Sequence, residues 1–212
     1  NEGTKISIID KSLQRIKCVI VDCDNTLWKG IIIDDGIDNI KLKEEICDIL
    51  VRLSKRGLII GLCSKNNPND INIIKDKILS PNEYGKLLLD SIVITKINWN
   101  PKSINLKEIA NELNIGLDTI AFFDDSKFER EEVKTNTPDV KVYKETDLYY
   151  CLNNPIFNNI NGLITIDNEK RKNTYISNLN RNNDLKFNNN DFDTFMINSN
   201  FVIEICDMKE EN

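Results

Sequence analysis

The chain has 212 residues, 40% of them hydrophobic, no histidine and a formal net charge of −6. That hydrophobic share supports a folded core and excludes a disordered chain. The acidic balance argues against nucleic-acid and anionic-membrane partners, and the lack of histidine excludes Ser-His, Cys-His and His-metal chemistry.

Five short apolar runs read as buried strands: "CVIVD" at 18–22, "LIIGLC" at 58–63, "SIVIT" at 91–95, "IAFFD" at 120–124 and "VKVY" at 140–143. Helical patterns lie between them. Leu42, Ile46, Leu50 and Leu53 recur at helical spacing, with Gly57 as a stop signal. A second helix is expected over about 68–79. A third follows Pro101, with Ile109 and Leu113 on one face and Gly116 behind it, and a fourth covers about 127–135. Strands alternating with helices predict an α/β, Rossmann-like fold, with a five-stranded, mostly parallel sheet between helices. "GIIIDDG" at 30–36 reads as a small flap hairpin. The inserts are too short for a large cap. Residues 1–152 read as the core. Residues 153–212, with a polar helix in "NEKRKNTYISNLNR" and a strand-like "FVIEI", read as a small C-terminal α/β appendage.

In a parallel sheet, ligands sit beyond the carboxyl ends of the strands. The first strand ends in Asp22-Cys23-Asp24, the second in Cys63-Ser64-Lys65-Asn66 and the fourth in Asp124-Asp125-Ser126, while Pro101-Lys102 opens a helix. Two carboxylates about 4 Å apart repel by about 4 kcal/mol at an effective dielectric of 20. A hard divalent cation with oxygen ligands, Mg²⁺ above all, relieves this. A lysine in the first turn of a helix opposes the helix dipole unless an anion sits there, and Ser64 can donate to the same anion. Alone, Asp-x-Asp is a turn, Ser64 a helix cap and Lys102 a surface residue. Together, at successive strand ends, they form a kit for phosphoryl transfer.

The six cysteines, Cys18, Cys23, Cys47, Cys63, Cys151 and Cys206, form no CxxC pair. They read as reduced thiols of a cytoplasmic protein, and no apolar run approaches the ~20 residues of a membrane span.

These residues resemble the haloacid dehalogenase (HAD) superfamily, with "DCDNT", Ser64, Lys102 and "DD" at 124–125 as its four motifs. "DCDNTLWKGIIIDDG", "GLCSKNN", "INWNPKSINLKEIANELNIGLDTIAFFDD", "FEREEV" and the tail from "TIDNEKRKNTY" to "FDTFMINSNFVIEI" are similar to the FkbH-like proteins of polyketide assembly lines. The chain departs from that pattern at Lys29 and Ile33, both in the flap. The resemblance implies a D-glyceryl transferase. Such an enzyme strips the phosphates of 1,3-bisphosphoglycerate and loads the glyceryl group onto an acyl carrier protein, with Mg²⁺ as cofactor.

Carried over, Asp22 matches the nucleophile and metal ligand. Asp24 matches the acid/base residue, whose backbone carbonyl also reaches the metal. Asp124 matches the second metal carboxylate, with Asp125 as alternative ligand or support. Ser64 and Lys102 match the phosphate clamp, with Lys65 beside them. A plain phosphatase needs only a small apolar residue between the two aspartates, whereas this chain has a thiol. Acyl transfer runs naturally through an enzyme thioester, so Cys23 is the expected carrier. Cys63 is its rival, and simple packing of both is the remaining reading. Lys102 and the metal favour a Cys23 thiolate, and the flanking carboxylates oppose it. A Mg²⁺-dependent phosphatase without acyl transfer is the competing function.

Overall fold

The computed structural model describes residues 15–158 and 173–177. Its centre is a five-stranded sheet of β1 (Cys18–Val21), β4 (Ile59–Ser64), β5 (Ile92–Ile97), β6 (Ile120–Asp124) and β7 (Lys141–Lys144), in the order β5-β4-β1-β6-β7. Every pairing in it is parallel. Each expected strand is present within two residues of its expected ends. β1, β4 and β6 are buried along their whole length, as continuous apolar runs require when both faces are covered.

Helices cover both faces. They are α2 (Glu44–Lys55), α3 (Asp70–Ile74), α4 (Glu83–Leu89), α5 (Lys102–Leu113) and α6 (Lys127–Asn136). The sheet divides the core in two. Val19 and Val21 face one cluster with Leu50 and Leu53 of α2, and Cys18 and Ile20 face the other with Leu106 and Ile109 of α5. This is the period-two alternation of a strand.

Three features differ from the sequence reading. The helix expected over 68–79 is α3 followed by a wider π-helical turn at Lys75–Leu79. α4 was not anticipated. Its sequence is short and carries Gly85 in its first turn. The flap is also different. A two-stranded ribbon pairs β2 (Trp28–Lys29) with β3 (Lys41–Leu42), and the "GIIIDDG" stretch is the single-turn helix α1 (Ile32–Asp35) with its flanking glycines rather than a hairpin. α5 stops earlier than Gly116 suggests, at Asn114, which takes the left-handed conformation with φ 52°.

Residue 152 falls inside a 3₁₀ helix at Glu145–Asn153, and the described residues just after it, to Asn158, stay on the core. Phe157 is buried against Phe123 and Tyr143. The amide of Ile16 donates to the carbonyl of Ile156 at 3.0 Å. Residues 173–177 are helical, and Tyr175 packs on the α5 side of the core. The remaining appendage calls, including the strand-like "FVIEI", lie outside the described residues. Among the described residues no helix is long and apolar enough to cross a membrane.

Gly85 supplies a stability test. In an ordinary helix, alanine is better than glycine by about 1 kcal/mol. Here a Cβ at residue 85 would lie 2.4 Å from the carbonyl oxygen of Leu79 and 2.8 Å from its Cα. Backbone cannot yield as a side chain does, so Gly85→Ala is expected to destabilise the fold by about 1–3 kcal/mol. A thermal melt checks this, and a raised Tm would refute the packing argument.

Candidate active site

Parallel register puts the acidic residues together. Val21 lies opposite Phe123 of β6 and Leu62 of β4. The amide of Asp22 donates to the carbonyl of Phe123 at 2.9 Å, which continues the ladder by one residue. Asp22 therefore emerges beside Asp124 on one side and Cys63-Ser64 on the other. In chain order the strands run from β1 outward through β4 and β5, then return across β1 to β6. The acidic edge is thus at the switch point, where ligands bind in sheets of this type.

Carboxylate oxygens of Asp22, Asp124 and Asp125 lie within 4.8 Å of one another. Asp22 and Asp124 are almost wholly buried. Asp124 Oδ1 accepts the amide of Ser126 at 2.8 Å, and Oδ2 has no hydrogen-bond partner. Arg130 of α6 donates to the carbonyls of both Asp124 and Asp125 at 2.7 Å, and Thr26 Oγ1 accepts the amide of Asp125 at 3.1 Å. These contacts fix the turn that presents the two carboxylates.

Lys102 is 1% exposed. Its ammonium donates to Asp22 Oδ1 and to the carbonyl of Cys63, and stands 3.5 Å from Asp124 Oδ2. It also lies 5.7 Å from the Phe122 ring centroid. Lys102 opens α5 directly after Pro101, so the surface reading of this residue does not hold. The start of α5 is completed by Glu132 of α6, which accepts the amide of Ser103 at 3.1 Å and its hydroxyl.

The electrostatics follow from this crowding. Burial first, then the charge of Asp22, raises Asp124 to about 7, with Lys102 opposing. Burial and Asp22 also raise Asp125. Burial alone would lower Lys102, but Asp22 and its neighbours outweigh that and hold it firmly protonated. One lysine does not neutralise three carboxylates, and Asp124 Oδ2, which has the Lys102 charge 3.5 Å away but no hydrogen bond, points to a further cation. The all-oxygen donor set suits Mg²⁺.

A pH prediction results. Asp124 has a folded value of about 7 against an ordinary 3.8. The metal-free fold therefore binds the proton more tightly than the unfolded chain and loses stability as pH rises from about 4 through 7. Added Mg²⁺ at a hundredfold excess over its Kd stabilises by about 2.7 kcal/mol. The Tm should then rise by roughly 5–10 °C at pH 8, and by clearly less at pH 5.5, where protons compete. Equal rises at both pH values in thermal melts would count against this site.

Asp24 sits at the same edge but turns its carboxylate away from the cluster. Oδ1 accepts from Trp28 Nε1 at 2.8 Å and from the flap amide of Ile32 at 3.3 Å, and Oδ2 accepts from Asn66 Nδ2 at 3.1 Å. Burial raises its pKa, while the Trp28 and Asn66 bonds lower it. The tight turn that carries it is held by the carbonyl of Cys23, which accepts the amides of Thr26, Leu27 and Trp28. Asn25 within the turn takes φ 54°, and its side chain accepts the amide of Gly30 at 3.1 Å.

Ser64 ends β4, buried, and accepts from Asn66 Nδ2 at 3.1 Å. Lys65 does not join it. Its ammonium pairs with Glu129 of α6 at 2.8 Å. In this structure Lys65 thus faces α6, while the side chain of Asn66 returns to Ser64.

Cys23 and Cys63 are both fully buried. Cys23 continues the Val19–Val21 face into the core cluster, within reach of the Ser64 hydroxyl. Burial and then Asp22 push the Cys23 thiol well above its ordinary value, against the lowering effects of Lys102 and Ser64. Lys102 thus favours a Cys23 thiolate and the flanking carboxylates oppose it, as expected, and burial adds the largest opposing effect. Burial pushes Cys63 up to about 11. Cys18, Cys47 and Cys151 are buried and unpaired, consistent with packing roles.

Sequence reasoning gave no role to Trp28, Asn66, Thr26 or Arg130. Asn66 alone carried a signal, being two residues beyond Ser64 at the same strand end.

No protein-family model matches the chain, and no curated protein sequence does. Among solved structures, it is similar to the N-terminal part of a Bacteroides fragilis protein containing a phosphatase domain, crystallised with Mg. The two are 36% identical over 61% of this chain, with a TM-score of 0.56. The match spans about a third, 36%, of that other chain. A HAD-family enzyme of Bacteroides thetaiotaomicron matches 61% of this chain and 93% of its own, at 11% identity and a TM-score of 0.50, a likeness of fold alone.

Proposed function

We propose that this chain, which has the phosphatase fold of the HAD superfamily, is a Mg²⁺-dependent enzyme that removes a phosphoryl group by way of Asp22. The observation that carries the reading is the grouping of Asp22, Asp124 and Asp125 around one point, with Lys102 buried against Asp22 and Asp124. Asp22 and Asp124 would hold the ion, with Asp125 beside them and the backbone carbonyl of Asp24 as a further ligand. When bound, Mg²⁺ supplies positive charge that neutralises the carboxylates and the phosphoryl oxygens.

The protein's own residues do the remainder. Asp22 attacks phosphorus and forms an aspartyl-phosphate. Lys102 and Ser64 hold the phosphoryl oxygens. Asp24, placed two residues from the nucleophile and held off the metal cluster, donates a proton to the leaving oxygen and later takes one from water.

The finer reading rests on the FkbH-like resemblance. In it the substrate is 1,3-bisphosphoglycerate, the acceptor is the thiol of an acyl carrier protein, and Cys23, or Cys63 in its place, carries the glyceryl group between them. The long motifs around three strand ends and the start of α5 support it, as does the position of Cys23 against Ser64 at the edge of the cluster. It requires that a thiol with no exposed surface be reached and ionised, so the phosphatase half is the part the geometry supports best.

One experiment separates the two. The protein is mixed with 1,3-bisphosphoglycerate, Mg²⁺ and a carrier protein, and both proteins are weighed intact. A glyceryl mass on the carrier supports transfer. Phosphate release with an unmodified carrier leaves the phosphatase. Absence of phosphate release sinks both readings. A covalent glyceryl adduct that persists on Cys23→Ala rejects Cys23 as the carrier.

A further inference from the structure

We infer that Asn66 is a positioning residue that aims Asp24 at the leaving group, through a bridge it makes between Asp24 and Ser64. The inference rests on the reading of Asp24 as the acid/base residue.

Asn66 has no exposed surface. Its Nδ2 donates to Asp24 Oδ2 and to Ser64 Oγ, both at 3.1 Å. One amide group thus spans the end of β4 and the turn after β1. In the ionised state Asp24 only accepts, so the NH₂ group of Asn66 faces it, and once protonated Oδ2 keeps a lone pair for the same bond. The cost of this arrangement is visible on the other side, where Asn66 Oδ1 is buried with no hydrogen-bond partner. A buried acceptor left unpaired costs about 1–3 kcal/mol.

The donors on the other Asp24 oxygen decide which of the two carries the proton. Asp24 Oδ1 accepts two donors, Trp28 Nε1 and the Ile32 amide, whereas Oδ2 accepts only Asn66 among the described residues. Oδ2 retains the room for a proton. In the first half-reaction the Asp24 Oδ2–H bond breaks as the leaving oxygen takes its proton. The P–O bond to that oxygen breaks, and the bond from Asp22 to phosphorus forms. Asn66 fixes the direction of Oδ2 relative to Ser64, which holds the phosphoryl group. It therefore acts chiefly on proton delivery, and on phosphate capture only through Ser64, in the same degree for every leaving group.

Leaving-group dependence tests this. p-Nitrophenolate leaves without a proton, but an alkoxide such as that of glycerol 3-phosphate needs one. Outer residues that orient a reacting group typically carry 10–100-fold effects. Asn66→Ala is expected to lower kcat/KM for glycerol 3-phosphate by about 10–100-fold and for p-nitrophenyl phosphate only severalfold, with KM for both little changed. The ratio of the two substrates in one preparation cancels any loss of folded protein, and Asn66→Ser, a smaller disturbance, should show the same bias. Asp24→Asn is the reference and should show a larger one. If Asn66→Ala leaves the ratio unchanged while Asp24→Asn shifts it, Asn66 is merely structural and the inference is overturned. If neither variant shifts it, the role of Asp24 falls and the inference falls with it.

Discussion

Asp22→Asn is expected to reduce Mg²⁺-dependent phosphate release by on the order of 10³-fold or more, the scale seen when a covalent nucleophile is removed. The amide is nearly the same size as the carboxylate, and the backbone at this position is fixed by the amide of Asp22 bonded to Phe123. The fold should therefore persist, which circular dichroism can verify on the same sample. An amide nitrogen or oxygen does not accept the phosphoryl group as a carboxylate does, so no aspartyl-phosphate forms. The substitution also removes one of the three clustered charges, and the Mg²⁺-induced rise in Tm should shrink in parallel. Phosphate release at the normal rate from this variant would remove the central claim about the site.

Lys102→Met is expected to have the largest effect on stability, about 3–5 kcal/mol, because it strands buried carboxylates without their counter-charge. Methionine follows the path of the lysine stem, so packing against Phe122 is largely kept. What disappears is the ammonium bonded to Asp22 and to the carbonyl of Cys63, 3.5 Å from Asp124. In urea unfolding the midpoint should fall without a change in slope. Since the lost charge is positive, Mg²⁺ should restore more stability to this variant than it adds to the parent chain. A midpoint within error of the parent would mean that the ion pair and its desolvation cancel, and the electrostatic account would need revision.

The strands and the main cluster were legible in the sequence for a simple reason. β1, β4 and β6 are covered on both faces, so their apolar runs are unbroken. The rule that ligands gather at carboxyl ends then assembled Asp22, Ser64 and Asp124 without further information. Lys102 was legible as a charge misplaced at a helix start. α4 and the flap turn were not, because short elements with internal or flanking glycine are fixed by tertiary contact, as the approach of Gly85 to Leu79 illustrates. Lys65 adjoins Ser64 in sequence, yet side chains alternate past the strand end, and its ammonium meets Glu129, 64 residues away, a pairing no spacing reveals. The same alternation turns Cys23 inward between two aspartates that face the edge. Arg130 and Glu132 act through backbone groups of other segments, a role that no spacing reveals.

The position of β1 has a consequence for biosynthesis. It is the earliest strand of the sheet in the chain, and its neighbours are Ile59–Ser64 and Ile120–Asp124. As the polypeptide leaves the ribosome, one flank of this greasy segment stays unsatisfied until the "IAFFD" run emerges, roughly a hundred residues later. Fragments ending short of Asp124 should therefore be sticky and chaperone-dependent. They should also lack the carboxylate cluster, since Asp22 and Asp124 come from opposite ends of that delay.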